Sequence, residues 1–122
     1  MQKKESFLVN RLKSIGYAYK GAFILFKTEA SIKIQFTIAL LVTIAGFYFK
    51  ISTYEWMIQI LAVGLVICAE GMNTAIEEIA NFIHPERHKK IGLIKDIAAG
   101  AVFIASIFAS ILGWLIYYPK IF

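Results

Sequence analysis

Glu70, Asn73 and Glu77 stand in the stretch "AEGMNTAIEEIANF", which follows directly on the apolar run "WMIQILAVGLVIC". Spaced at i, i+3 and i+7, they share one face of a helix within about 60° of arc. Two carboxylates about two turns apart, with an amide between them, resemble part of a site for a metal-bound anion. Magnesium suits such a set, since it prefers oxygen ligands and commonly takes one or two carboxylates plus substrate phosphates. Glu78 points off this face and reads as a solvated residue or a partner for a loop lysine. A second pair, Lys95 and Asp96, directly precedes another apolar run. A lysine there can meet phosphate oxygens; the plainer alternative is a snorkelling anchor beside a helix-start aspartate. Glu29, in "FKTEAS", is the one acid between Glu5 and Glu55.

These groups are set in a chain that is too apolar for a small soluble globule. Of its 122 residues, 59% are hydrophobic and only 17% charged, with a mean hydropathy of +0.68. Soluble domains are nearer half apolar and a quarter charged, and short chains bury a smaller share of their surface. One membrane domain over residues 1–122 is the economical reading. Three apolar segments supply its spans, about 32–49, 55–82 and 97–118, against the roughly 20 residues that a helix needs to cross a bilayer. The second is charge-free only from Trp56 to Ala69. Its helical pattern continues to "HPE" at His84–Glu86, so its last third leaves the hydrocarbon and Glu70 sits near that exit. Ionisable groups at such depth are costly and face a bundle interior or a cavity.

Loop charge sets the orientation. Residues 1–33 carry seven Lys/Arg and residues 83–96 carry four, including Arg87, whereas the turn after the first span and the C-terminus carry one each, Lys50 and Lys120. The positive-inside rule places the N-terminus and the 83–96 loop in the cytoplasm. Trp56, Trp114, Tyr117 and Tyr118 then fall where an outer aromatic belt is expected. Residues 6–28 form a basic amphipathic element with Leu8, Leu12, Ile15, Tyr19, Phe23 and Phe26 at spacings of three and four. It suits a helix on the inner leaflet or one covering the bundle end. The net charge of +5 fits attraction to anionic lipid and needs no nucleic acid. No small-residue cleavage site follows the basic start, so the first span is expected to remain as an anchor. Cys68 is the single cysteine and cannot form an internal disulfide. No phosphate loop, Rossmann fingerprint or protein-kinase signature is present. His84 and His88 are divided by Pro85 and read as loop residues.

"EGMNTAIEEIANFI", followed by "KDIAAGAV", resembles the signature of the small prokaryotic diacylglycerol kinase family, which includes undecaprenol kinases. "GYAYKG", the "TE" before the first span and the "EW" opening the second extend the resemblance over nearly the whole chain. It implies an all-α homotrimer in the bacterial inner membrane, each subunit having three spans and a surface helix. It also implies transfer of the γ-phosphate of ATP, with Mg2+, to the hydroxyl of undecaprenol or diacylglycerol. By the resemblance Glu70 is the general base, Asn73 shapes the site, and Glu29 and Glu77 hold metal while contacting ATP. Lys95 and Asp96 contact the nucleotide, with Tyr17 a further candidate and Arg11 a contact one position out of register. Asn81 departs from the family's usual aspartate, which leaves open a weaker nucleotide or metal affinity, or compensation by Glu78. Gly92 replaces a family lysine, with Lys89 and Lys90 upstream.

Two readings from other classes stand beside this one. An intramembrane glutamate is the usual carrier in a small proton-coupled transporter, although the acids here gather at one end and the loop charge is strongly biased. A catalytically inert helical subunit is the other, and Asn81 is its main support.

Overall fold

The computed structural model describes residues 6–86 and 88–122. Four helices follow in order: α1 (Phe7–Thr28), α2 (Ala30–Tyr48), α3 (Thr53–Ile83) and α4 (Lys89–Ile121). The protein is all-α, and α2, α3 and α4 are each long and apolar enough to cross a membrane. In lipid, a helix satisfies every interior backbone group within its own segment.

Ser6 starts α1 by accepting the Val9 N–H on Oγ at 3.2 Å. None of its residues is buried, so the apolar stripe through Leu8, Leu12 and Phe23 stays open. At Glu29 the backbone turns extended (φ −98°, ψ 117°), which ends α1 and opens α2 with no glycine or proline between them. Hydrogen bonding survives this one-residue break. Glu29 N–H donates to Leu25 O at 3.0 Å, and Lys33 N–H to Glu29 O at 3.2 Å. Phe26 and Phe36 meet edge to face across the joint, ring centres 5.2 Å apart.

The turn from α2 to α3 is tight. Ile51 N–H donates to Gly46 O at 3.1 Å and Lys50 N–H to Phe47 O at 3.4 Å, the paired bonds of a Schellman ending. Lys50 takes the left-handed position (φ 51°) that glycine usually fills. Ser52 then caps α3 through a reciprocal box: its Oγ accepts the Glu55 N–H, and Glu55 Oε1 accepts the Ser52 N–H. Lys120 Nζ lies 3.1 Å from the same Glu55 oxygen and ties the end of α4 to the start of α3.

Helices α3 and α4 form the main antiparallel pair, with α2 against α3. Buried Gln59, Val66 and Ala80 lie at seven-residue steps on α3, and Asn73 takes the step between Val66 and Ala80. On α4 the same step runs through half-buried Lys95, then Val102, Ala109 and Ile116. Heptad spacing keeps one seam facing the partner helix. Gln59, the one buried polar residue among those described, is satisfied across all three spans. Its Nε2 donates to Val42 O at 3.1 Å, and Tyr117 Oη donates to its Oε1 at 2.5 Å.

Three details differ from the sequence reading. Helix α4 starts at Lys89, with His88 accepting the Lys90 N–H on Nδ1 at 3.1 Å, so Lys95 and Asp96 lie inside the helix. Tyr117 turns inward to serve Gln59 rather than joining an aromatic belt. Trp56 is half-buried on the Gly46 backbone, whereas Trp114 and Tyr118 stay outward and stack on each other, ring centres 4.8 Å apart. Helix α3 ends at Ile83 as the pattern indicated, His84 leaving helical geometry ahead of Pro85.

A Cβ on Gly46 would lie 2.6 Å from the Trp56 ring. Gly46→Val is therefore expected to lower stability by about 1–3 kcal/mol, the usual cost of overpacking, read as a lower thermal midpoint in detergent. Gly16→Ala, where an added Cβ meets nothing within 4 Å, is the control and should leave the midpoint unchanged or raise it.

Candidate functional site

Helix α3 brings its polar row out of the apolar seam. Glu70 follows Val66 by one turn and is half-buried, as are Asn73 and Glu77. Asn73 Nδ2 donates to Glu77 Oε1 at 3.3 Å, which turns the amide and carboxylate toward each other. Asn73 Oδ1 is buried without a hydrogen-bond partner among the described residues. Native structures rarely leave such an oxygen unpaired, so an unpaired one needs an explanation. Beside Glu70, Thr74 returns its hydroxyl to the Glu70 backbone oxygen at 3.1 Å. Glu78 is exposed on another face.

The α1–α2 joint lies next to this row. Leu25 comes so close to α3 that a Cβ on Gly71 would sit 3.2 Å from its Cδ1. Glu29 follows Leu25 by one turn. It is half-buried, and its carboxylate makes no capping bond to α2, so the acid is not spent on ending a helix. No group of three or more His, Cys, Asp or Glu gathers as a metal site among the described residues. The oxygens of the row itself are few: the Glu70 and Glu77 carboxylates and the unpaired Asn73 oxygen, with Glu29 one turn beyond the Leu25 contact. An all-oxygen, incomplete set of this kind suits magnesium shared with substrate phosphates and does not form a closed protein cage.

Helix α4 closes the other side. Lys95 Nζ donates to Asn81 Oδ1 at 2.6 Å, joining the second turn of α4 to the last turns of α3. Exposed Asp96 lines an open cavity of about 680 Å3 with His88, Lys89, Lys90 and Gly92. Two other candidates are not brought into this cluster. Tyr17 is 72% exposed on α1, about three turns before Glu29. Arg11 lies over the Phe7 ring, 5.1 Å from its centre. His84 and His88 face each other with ring centres 5.1 Å apart. His84 Nδ1 lies 2.8 Å from the Glu86 oxygen, and Nδ1 of His88 is taken by the Lys90 N–H. Arg87 lies outside the described residues.

Sequence reasoning did not find the Asn81–Lys95 bond, the Leu25–Gly71 approach or the unpaired Asn73 oxygen. The heptad step carried a signal for part of this, because Asn73 and Lys95 occupy seam positions on their two helices.

The three long apolar helices, with a carboxylate–amide row and a lysine toward one end, have the make-up of a membrane protein carrying polar groups suited to phosphate. Residues 16–117 match the family Prokaryotic diacylglycerol kinase, and the chain belongs to it. It is 36% identical over 109 residues to the undecaprenol kinase of Bacillus subtilis (strain 168), covering 89% of each chain. Against the diacylglycerol kinase of Escherichia coli (strain K12) it is 30% identical over 105 residues, covering 86% of this chain and 85% of the relative. The diacylglycerol kinase of Haemophilus influenzae is 29% identical over 102 residues, covering 84% of this chain and 86% of the relative. The protein is accordingly a lipid kinase that phosphorylates a lipid alcohol, and the transporter and inert-subunit readings give way.

Gly71→Leu should push the last turn of α1 from the carboxylate row. A displacement near 1 Å in such a site can cost about 100-fold in rate. The expected result is a large fall in kcat with the helical circular dichroism spectrum retained.

Proposed function

We propose that the protein transfers the γ-phosphoryl group of ATP to a polyprenol or diacylglycerol hydroxyl at the cytoplasmic face of the inner membrane. Undecaprenol is the preferred acceptor, because the relative named for it shares more identity than those named for diacylglycerol. The observation that carries the reading is half-buried Glu70, one turn beyond the apolar seam and followed on the same face by the paired Asn73 and Glu77. A lipid alcohol held in the bilayer and a nucleotide held in water can both reach that point.

Glu70 accepts the proton of the lipid hydroxyl. The hydroxyl oxygen forms a bond to the γ-phosphorus while the bond from that phosphorus to the β–γ bridging oxygen breaks. ADP leaves, and the lipid monophosphate is the product. Such transfers depend mainly on positioning and on neutralising charge. Glu29 and Glu77, with the unpaired Asn73 oxygen, would hold Mg2+. When bound, the ion supplies positive charge to the phosphates. Lys95 adds a fixed cation at the nucleotide, and Asp96 and the basic start of α4 frame its open side.

A homotrimer suits the exposed apolar faces. Only 11% of each apolar window is buried within one chain. A mostly apolar cavity of about 410 Å3 between α2, α3 and α4 is edged by Gln35, Ser106 and Ser110, polar groups that a neighbouring helix can serve better than lipid. The loop-charge asymmetry supports a cytoplasmic N-terminus and α3–α4 loop.

Phosphate transfer from radiolabelled ATP in detergent–lipid micelles, with undecaprenol and diacylglycerol offered separately, tests the assignment. Glu70→Gln is expected to lower kcat by about 100- to 10,000-fold with either lipid, the usual contribution of a general base. Full activity in that variant would remove Glu70 from its role. No product from either lipid with the folded wild type would remove both substrates.

A further inference from the structure

Asn81 belongs to α3 and Lys95 to α4, and the 2.6 Å bond between them crosses the loop that joins the two helices. Asn81 follows Glu77 by one turn, so this bond sets the ammonium group beside the carboxylate–amide row. The acceptor is a carboxamide oxygen, which carries no net charge. A lysine held this way meets no opposing charge in its partner and has two further N–H donors directed elsewhere. Among the described residues, Lys120–Glu55 at the opposite end of the bundle is the ion pair between side chains, and Lys95 pairs with no carboxylate. Half-buried Lys95 has a long, flexible stem, and a neutral tether limits where its charge can go. A carboxylate at position 81 would hold the same ammonium but cancel much of its charge before any phosphate arrived.

We infer that Asn81 is a positioning residue for ATP binding: it fixes the Lys95 ammonium toward the nucleotide phosphates through a neutral acceptor that leaves the charge available. This rests on the reading that Lys95 meets those phosphates. Asn81 is exposed and packs no core, so substitutions there act through the tether rather than through folding. Glu77 and Glu78 on the preceding turn, and Lys89, Lys90 and Asp96 on α4, are the charged neighbours in sequence on the two elements, and all are left intact by a change at position 81.

The test is steady-state kinetics of the full chain in mixed micelles with ATP varied at saturating lipid, for wild type, Asn81→Ala, Asn81→Asp, Asn81→Gln, Lys95→Met and the Asn81→Ala/Lys95→Met double variant. Removing one hydrogen bond to a charged group should raise the KM for ATP in Asn81→Ala by about tenfold, with kcat little changed. Asn81→Asp should raise KM at least as much, because the new carboxylate competes with phosphate. Asn81→Gln should restore part of the affinity. On the Lys95→Met background Asn81→Ala should add nothing, the signature of two residues acting as one unit. Wild-type KM in Asn81→Ala, or a lower KM in Asn81→Asp, with Lys95→Met still impaired, would overturn the inference and leave the role of Lys95 standing. An unchanged KM in Lys95→Met would instead overturn the phosphate contact on which it rests. Thermal midpoints in detergent, expected to match wild type, separate these outcomes from loss of fold.

Discussion

Helix α3 must satisfy two solvents with one continuous backbone. Between Ser52 and Ile83 its residues pass from lipid to water without a break, and the only element that can do so in hydrocarbon is a helix with all its bonds internal. Its face toward α4 changes character on the way: Gln59 and Val66 fill the seam, then Asn73 occupies the same register, then Ala80 closes it. Because the register never slips, the side chains of Glu70 and Glu77 emerge at a depth and direction already fixed by the apolar packing below them. The site is a continuation of the core rather than a loop placed on top of it.

Polar contacts then divide the bundle into two differently held ends. Near the α2–α3 turn, Gln59 links to Val42 and Tyr117, Glu55 closes the capping box and meets Lys120, and Trp56 lies on Gly46. Interhelical hydrogen bonds in membranes are worth about 0.6 kcal/mol on average, so their number at one end matters more than any single one. At the α3–α4 loop end the cross-helix polar contact among the described residues is Lys95 to Asn81. The proposed chemistry then lies at the end where Asn81 of α3 and Lys95 of α4 meet.

The spans and the Glu70–Asn73–Glu77 row were legible in the sequence because both follow from periodicity, a property of one helix at a time. The true start of α4 was not. An apolar run marks where hydrocarbon begins, whereas α4 extends as a helix through eight more residues that carry Lys89, Lys90, Lys95 and Asp96. Tyr117 was misplaced for a related reason: aromatic residues near a span end read as a belt, and only the buried amide of Gln59 on another helix draws this one inward. The Asn81–Lys95 bond depends on how α3 and α4 cross, so no single-helix pattern contains it. As a sequence feature Asn81 is a lost negative charge; its position against Lys95 makes it an acceptor.

The single-residue joint at Glu29 has a mechanical consequence. Helix α2 has 19 residues, about 28 Å of length, close to the roughly 30 Å of a bilayer's hydrocarbon. A thicker or thinner membrane changes the tilt of such a span. With one extended residue between them, α1 has little slack to absorb that rotation, and its Leu25 bears directly on Gly71. A change in that tilt would thus bear, through a short lever, on the turn of α3 that carries Glu70.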